Sequence, residues 1–196
     1  VLVYTESDQG KFKKAALEVA SYGKAVAEAM GTSLTALTFK VSDASELGNY
    51  GVDKVLNINS TNTFNAKIYA DAIKQAAEKE NATVVILSAS ADSRYLAPLV
   101  SVGLSAAYVP NVVATPSNLS PFTVKRTAFT NKAFCNTELS TAIKIIGVSN
   151  NSFGLIENKA AAHIEEFSPS LATSSTSVTS TDKASDKVTI ADAEVV

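Results

Sequence analysis

The residues whose types and spacing best suit chemistry are Ser88-Ala89-Ser90-Ala91-Asp92-Ser93-Arg94, in a chain of 196 residues. They follow an apolar run, Thr83-Val84-Val85-Ile86-Leu87, and precede a helical pattern. Small hydroxyls at the carboxyl end of a parallel strand, opening a helix, can turn free backbone N–H groups and a helix dipole toward an anion. Ser90, Asp92 and Arg94 are therefore the candidates for a vestigial nucleotide cleft. The same residues also suit plain helix capping by Asp92 or Ser93. Neither a G-x-G-x-x-G nor a G-x-x-x-x-G-K-[ST] pattern occurs, so a glycine-rich phosphate cradle is missing. With one arginine and no glycine in the turn, adenine nucleotides are expected to bind weakly or not at all.

Other chemistry is thin. Cys135 and His163 are the single cysteine and single histidine, which excludes a disulfide framework and any multi-Cys or multi-His metal centre. Cys135 reads as a small, half-buried hydrophobe and His163 as structural or exposed. No acid pair and no nucleophile–base pair supports catalysis, so no catalytic and no metal residue is assigned. Seventeen Lys and Arg face nineteen Asp and Glu, a net charge of -2. Without a basic field, nucleic acid is not an expected partner. No apolar run approaches the ~20 residues that span a bilayer. The chain opens on Val1-Leu2-Val3-Tyr4 rather than on a signal peptide. The expectation is a cytoplasmic protein with no membrane insertion.

The elements that must hold these residues alternate. Residues 1–4, 33–39, 54–58 and 83–88 read as strands. Residues 13–30 and 64–81 read as amphipathic helices. In the first helix Ala16, Val19, Ala20, Gly23, Ala27 and Met30 fall at helical spacing and charges such as Glu18 and Lys24 elsewhere, with Gly31 as the stop. A third helix is predicted over 93–102, ending at Gly103, followed by two strands near 106–109 and 112–115. Strand 83–88 is apolar on both faces, as a strand covered from both sides requires. The order predicts an α/β fold: a three-layer, open, mostly parallel sheet with helices on both faces.

Beyond Pro121, residues 122–129 and 132–139 form a predicted antiparallel hairpin turning at Thr130-Asn131. Residues 142–148 and 163–167 add two strands, and the domain is expected to close with antiparallel strands at 167. The hairpin carries Phe122, Val124, Phe129 and Phe134 among few charges, so it suits either a subunit contact or completion of the core. Arg126 shares the face of Phe122 and Val124, and must be paired or reach solvent. Residues 168–187 collapse into Ser and Thr and read as a mobile linker. Residues 188–196 turn apolar again, as the cut-off start of another domain would. The expected organisation is 1–167, 168–187 and 188–196.

Several stretches together resemble the N-terminal domain of the electron transfer flavoprotein alpha subunit. They are Val1-Leu2-Val3-Tyr4-Thr5-Glu6, Gly10-Lys11-Phe12-Lys13 with the Ala-rich helix behind it, and Asp92-Ser93-Arg94-Tyr95-Leu96-Ala97-Pro98. The segment Lys125-Arg126-Thr127-Ala128-Phe129-Thr130-Asn131-Lys132-Ala133 is similar to that family's K/R-R-P-x-Y-A-G-N-A motif. It departs from that motif at Thr127, and at Asn131 where glycine is usual. Residues 188–196 resemble the lead into the family's flavin-binding domain.

The resemblance implies an adenine nucleotide alpha hydrolase-like fold and an electron carrier rather than an enzyme. It implies pairing with an electron transfer flavoprotein beta subunit, with Arg126 and Phe129 as candidate interface residues. FAD would lie in a C-terminal domain beyond these residues and AMP in the beta subunit, so no FAD-binding residue is assigned here. Electrons would pass from flavin dehydrogenases, such as acyl-CoA dehydrogenases in fatty acid beta-oxidation, to a quinone oxidoreductase. The alternative is a free-standing adenine-nucleotide-binding α/β domain.

Overall fold

The computed structural model describes residues 1–60, 64–158, 160–171, 173, 175, 176, 179 and 180. In chain order the elements are β1 (Leu2–Tyr4), a two-strand ribbon of β2 (Ser7–Asp8) and β3 (Lys11–Phe12), α1 (Lys14–Met30) and β4 (Thr35–Phe39). A 3-10 turn (Ser45–Asn49), β5 (Lys54–Ile58), α2 (Ala66–Lys79), β6 (Val84–Ser88), α3 (Ala91–Gly103) and β7 (Ala107–Val112) follow. The remaining strands are β8 (Asn118–Leu119), β9 (Phe122–Ala128), β10 (Ala133–Leu139), β11 (Lys144–Val148) and β12 (His163–Glu166). The main sheet runs β10-β9-β7-β11-β6-β1-β4-β5-β12, with β8 beside β9.

The strands from β7 to β12 along this order are all parallel, and only β8, β9 and β10 run against their neighbours. The expected mostly parallel α/β sheet is present. The expected antiparallel closure at residue 167 is not: β12 lies parallel to β5 at the far edge. The 149–162 connection carries the chain from β11 in the middle of the sheet to that edge.

Period-2 alternation divides the core between the two faces. Val3, Val84, Ile86 and Ile146 pack with α1 on one side. Leu2, Tyr4, Val85, Leu87 and Ile145 pack with α2 and α3 on the other. Each such fully buried aliphatic side chain contributes about 1.5–3 kcal/mol. Gly23 lets α1 cross the sheet closely, because a Cβ there would lie 2.5 Å from Val3 Cγ1 and 3.0 Å from Leu34 Cδ1. Gly31, at a φ of 63°, ends the helix as expected, and the Thr32 N–H returns to the Ala27 carbonyl at 2.9 Å.

Two local expectations are corrected. The predicted pair of strands at 106–109 and 112–115 is one strand, β7. Pro110 removes a ladder donor, Asn111 takes a φ of 59°, and the register against β11 shifts between Ile146 and Val148. The irregularity is absorbed as a bulge rather than a break. α3 begins two residues early, and its cap is Ser90 rather than Asp92 or Ser93. The Ser90 Oγ accepts the Ser93 N–H at 3.0 Å, which leaves Asp92 and Ser93 inside the first turn.

Of the Ser/Thr-rich segment, the described part touches α2. Ser170 exchanges two hydrogen bonds with Gln75, at 2.7 and 2.9 Å, and the Asn65 amide donates to Thr176 Oγ1 at 3.3 Å. Residues 188–196 lie outside the described residues.

Candidate functional site

The chain winds from β1 to β4 on one side and from β6 toward β7 and β11 on the other. The connections therefore reverse direction between β1 and β6, and the crevice at the carboxyl ends of these strands is where doubly wound sheets take ligands. Thr5 extends the line of β1: its N–H donates to the Leu37 carbonyl at 2.9 Å and its hydroxyl to the same oxygen at 3.1 Å. The next side chain, Glu6, turns into the crevice.

Glu6 is 3% exposed. Its Oε1 accepts hydroxyl hydrogens from Ser88 at 2.6 Å, Ser93 at 2.9 Å and Ser90. Lys13 reaches its Oε2 from the start of α1 at 3.3 Å. Three hydroxyls and an ammonium thus satisfy one buried carboxylate, which without them would be costly to bury. Asp92 is a second carboxylate at the same place. Burial holds its pKa above the ordinary value, Glu6 pushes it further the same way, and Lys13 opposes them. The Tyr4 phenol below is pushed well above its ordinary range by burial first, then by Glu6, Tyr69 and Asp92.

The three residues expected to form a nucleotide cleft stand in different surroundings. Ser90 is spent on Glu6 and on capping α3. Asp92 adds negative charge. Arg94 faces a hollow of about 310 Å³ that adjoins the crevice at Ser88 and Ala89 and is lined further by Tyr108, Pro110, Asn111 and Gly147.

The sequence reading did not single out Glu6 as a site residue, and it set Glu18 apart from the apolar stripe of α1 with no role. Glu18 is 4% exposed. Its carboxylate accepts the backbone N–H groups of Asn151 at 2.8 Å, Phe153 at 2.8 Å and Gly154 at 3.0 Å. One turn on, the Ser21 hydroxyl accepts the Ile156 N–H at 3.0 Å. Together they fasten the connection from β11 to β12 across α1. The position of Glu6, one residue past the end of the first strand's extended line, was a usable signal. Glu18 offered none, because its donors lie more than 130 residues away in sequence.

The predicted hairpin forms, with β9 and β10 in register from Ala133 opposite Ala128 to Leu139 opposite Phe122. Phe129, Thr130 and Asn131 all take positive φ at its turn. Its large apolar side chains divide between core and solvent. Phe122 and Val124 are buried in the core, whereas Phe129 is 82% and Phe134 is 64% exposed. Lys125 Nζ lies 4.3 Å over the Phe134 ring. Arg126 is half-buried and donates from Nε to Thr137 Oγ1 at 3.2 Å. Cys135, its neighbour across the ladder, contacts Thr137 and the Asn136 carbonyl, and His163 is exposed on β12. Among the described residues no cluster of His, Cys, Asp and Glu could hold a metal ion, and no helix is long and apolar enough to cross a membrane.

Fold and topology define a doubly wound α/β domain with a buried carboxylate, Glu6, at its switch-point crevice. The model of the electron transfer flavoprotein domain matches residues 1–172, so the chain belongs to the electron transfer flavoprotein domain family. Members of that family are electron carriers rather than enzymes. A comparison with curated proteins finds no match.

Proposed function

We propose that this chain is the N-terminal, subunit-packing domain of an electron transfer flavoprotein alpha subunit. It pairs with a beta subunit through the hairpin, in a cytoplasmic complex that relays electrons from flavin dehydrogenases, such as acyl-CoA dehydrogenases, to a quinone oxidoreductase. The observation that carries this reading is the hairpin tip, where Phe129 and Phe134 stand exposed on a sheet edge. An unpaired edge strand bearing aromatic residues is a surface that another chain covers.

The crevice does not suit the pyrophosphate of FAD or the phosphate of AMP. Two carboxylates, Glu6 and Asp92, stand there against one ammonium, Lys13. This supports a division of labour in which FAD is held by a separate flavin-binding domain and AMP by the beta subunit. It also opposes the free-standing nucleotide-binding alternative. Here the domain's own residues pack and orient; flavin, where bound, supplies the redox chemistry.

Flavin content is the test. Purified chain 1–196 is expected to be colourless after expression with ample riboflavin and after incubation with FAD. Stoichiometric absorbance in the flavin bands would overturn the assignment of FAD to another domain.

A further inference from the structure

We infer that Glu6 is a resident anion: its carboxylate occupies the oxyanion position of the switch-point crevice and keeps a phosphate-recognising donor set closed. Three observations converge on this. The crevice lies where the strand connections reverse, between β1 and β6. The donors gathered there, the hydroxyls of Ser88, Ser90 and Ser93 with the Lys13 ammonium, are those that a phosphate monoester would draw on. All of them converge on the one carboxylate, which β1 delivers from the opposite side of the crevice. α3 also begins here, so its N-terminal dipole adds to the attraction for whichever anion is present.

The arrangement is closed by charge. A phosphate approaching the intact crevice meets Glu6 and the adjacent Asp92 with only Lys13 to offset them. With Glu6 removed, Lys13 balances Asp92 and the three hydroxyls lose their acceptor. Buried donors without a partner are costly, so they favour a new tetrahedral oxyanion in the vacated place. This inference goes beyond the subunit assignment and does not depend on it.

The experiment compares wild type with Glu6→Ala in the full chain by isothermal titration with inorganic phosphate and, separately, with AMP. Each protein is also melted in phosphate and in sodium chloride of equal ionic strength. Wild type is expected to bind neither ligand at millimolar concentration and to gain in phosphate only the general stabilisation a kosmotropic salt gives. Glu6→Ala is expected to bind phosphate saturably, at least about tenfold tighter than wild type, and to gain more melting temperature in phosphate than wild type does. Equal affinity for phosphate and AMP would locate recognition in the phosphate group, and tighter AMP binding would add a nucleoside contact. Either result supports the inference. If Glu6→Ala does not fold in chloride, recovery of folding in phosphate supports it and failure to recover contradicts it. Micromolar binding of AMP to wild type, or a folded Glu6→Ala that binds neither ligand better than wild type, would overturn it.

Discussion

Glu18 shows how a charged residue in an amphipathic helix can be structural. Helical spacing sets it apart from the apolar stripe of α1. The 149–158 connection then lies over it, and three backbone N–H groups take the carboxylate as their acceptor. Removing it leaves these donors partly buried and unpaired. Glu18→Ala is expected to lower stability by roughly 2–4 kcal/mol, read from urea unfolding with an unchanged m-value. Glu18→Gln should be intermediate, because its amide group meets donors with a donor. A loss of a few tenths of a kcal/mol in Glu18→Ala would mean that the connection is held by other contacts. Local periodicity made Ala16, Val19, Ala20, Gly23 and Ala27 legible, and all are buried. It could not make Glu18 legible, since its partners are brought in by chain topology.

Among the elements, the strands and helices with strong alternation or amphipathic spacing were readable to within a residue or two, β5 and the hairpin of β9 and β10 among them. β7 was not, because Pro110 and Asn111 look like a break until the pairing with β11 and β9 is known. Gly23 carries a prediction for α1. Gly23→Ala should destabilise by about 1–3 kcal/mol, despite alanine's better helix propensity, because Val3 and Leu34 already occupy the space. Unchanged or raised stability would show that α1 can lift from the sheet.

β12 is held by charge. Lys54 pairs with Glu80 at 2.7 Å and with Glu165 at 2.9 Å, and Lys79 also binds Glu165. Lys79 and then Lys54 lower the Glu165 pKa from 4.5 to about 2. A depressed carboxylate pKa stabilises the fold above its unfolded value and loses that contribution as pH falls through the folded one. β12 should therefore stay docked at pH 4.5 and lose these ion pairs as pH falls toward 2, as followed by NMR of its amides and the Glu165 carboxyl. Titration of Glu165 near 4.5 would contradict this.

For the whole molecule, alternation of strand and helix predicted a parallel sheet covered on both faces, and composition placed the change of texture after Pro121. Strand order was beyond reach. Val84–Ser88 and Lys144–Val148 are both apolar on two faces, and nothing in either run says that they are neighbours. Nor does the run His163–Glu166 announce that it pairs with β5. The same sequence does carry the family, and the structure adds a crevice closed by Glu6 and an aromatic tip left open. Association with a beta subunit is the central claim, and sedimentation velocity tests it most directly. The full-length protein, its Arg126→Ala and Phe129→Asp variants, and an electron transfer flavoprotein beta subunit are needed. The wild type is expected to form a one-to-one complex, and Phe129→Asp, folded by circular dichroism, to bind at least about tenfold more weakly. Arg126→Ala should weaken it less, because part of that side chain is already engaged by Thr137. A wild type that stays separate from the beta subunit, or folded variants that both associate with unchanged affinity, would contradict the account.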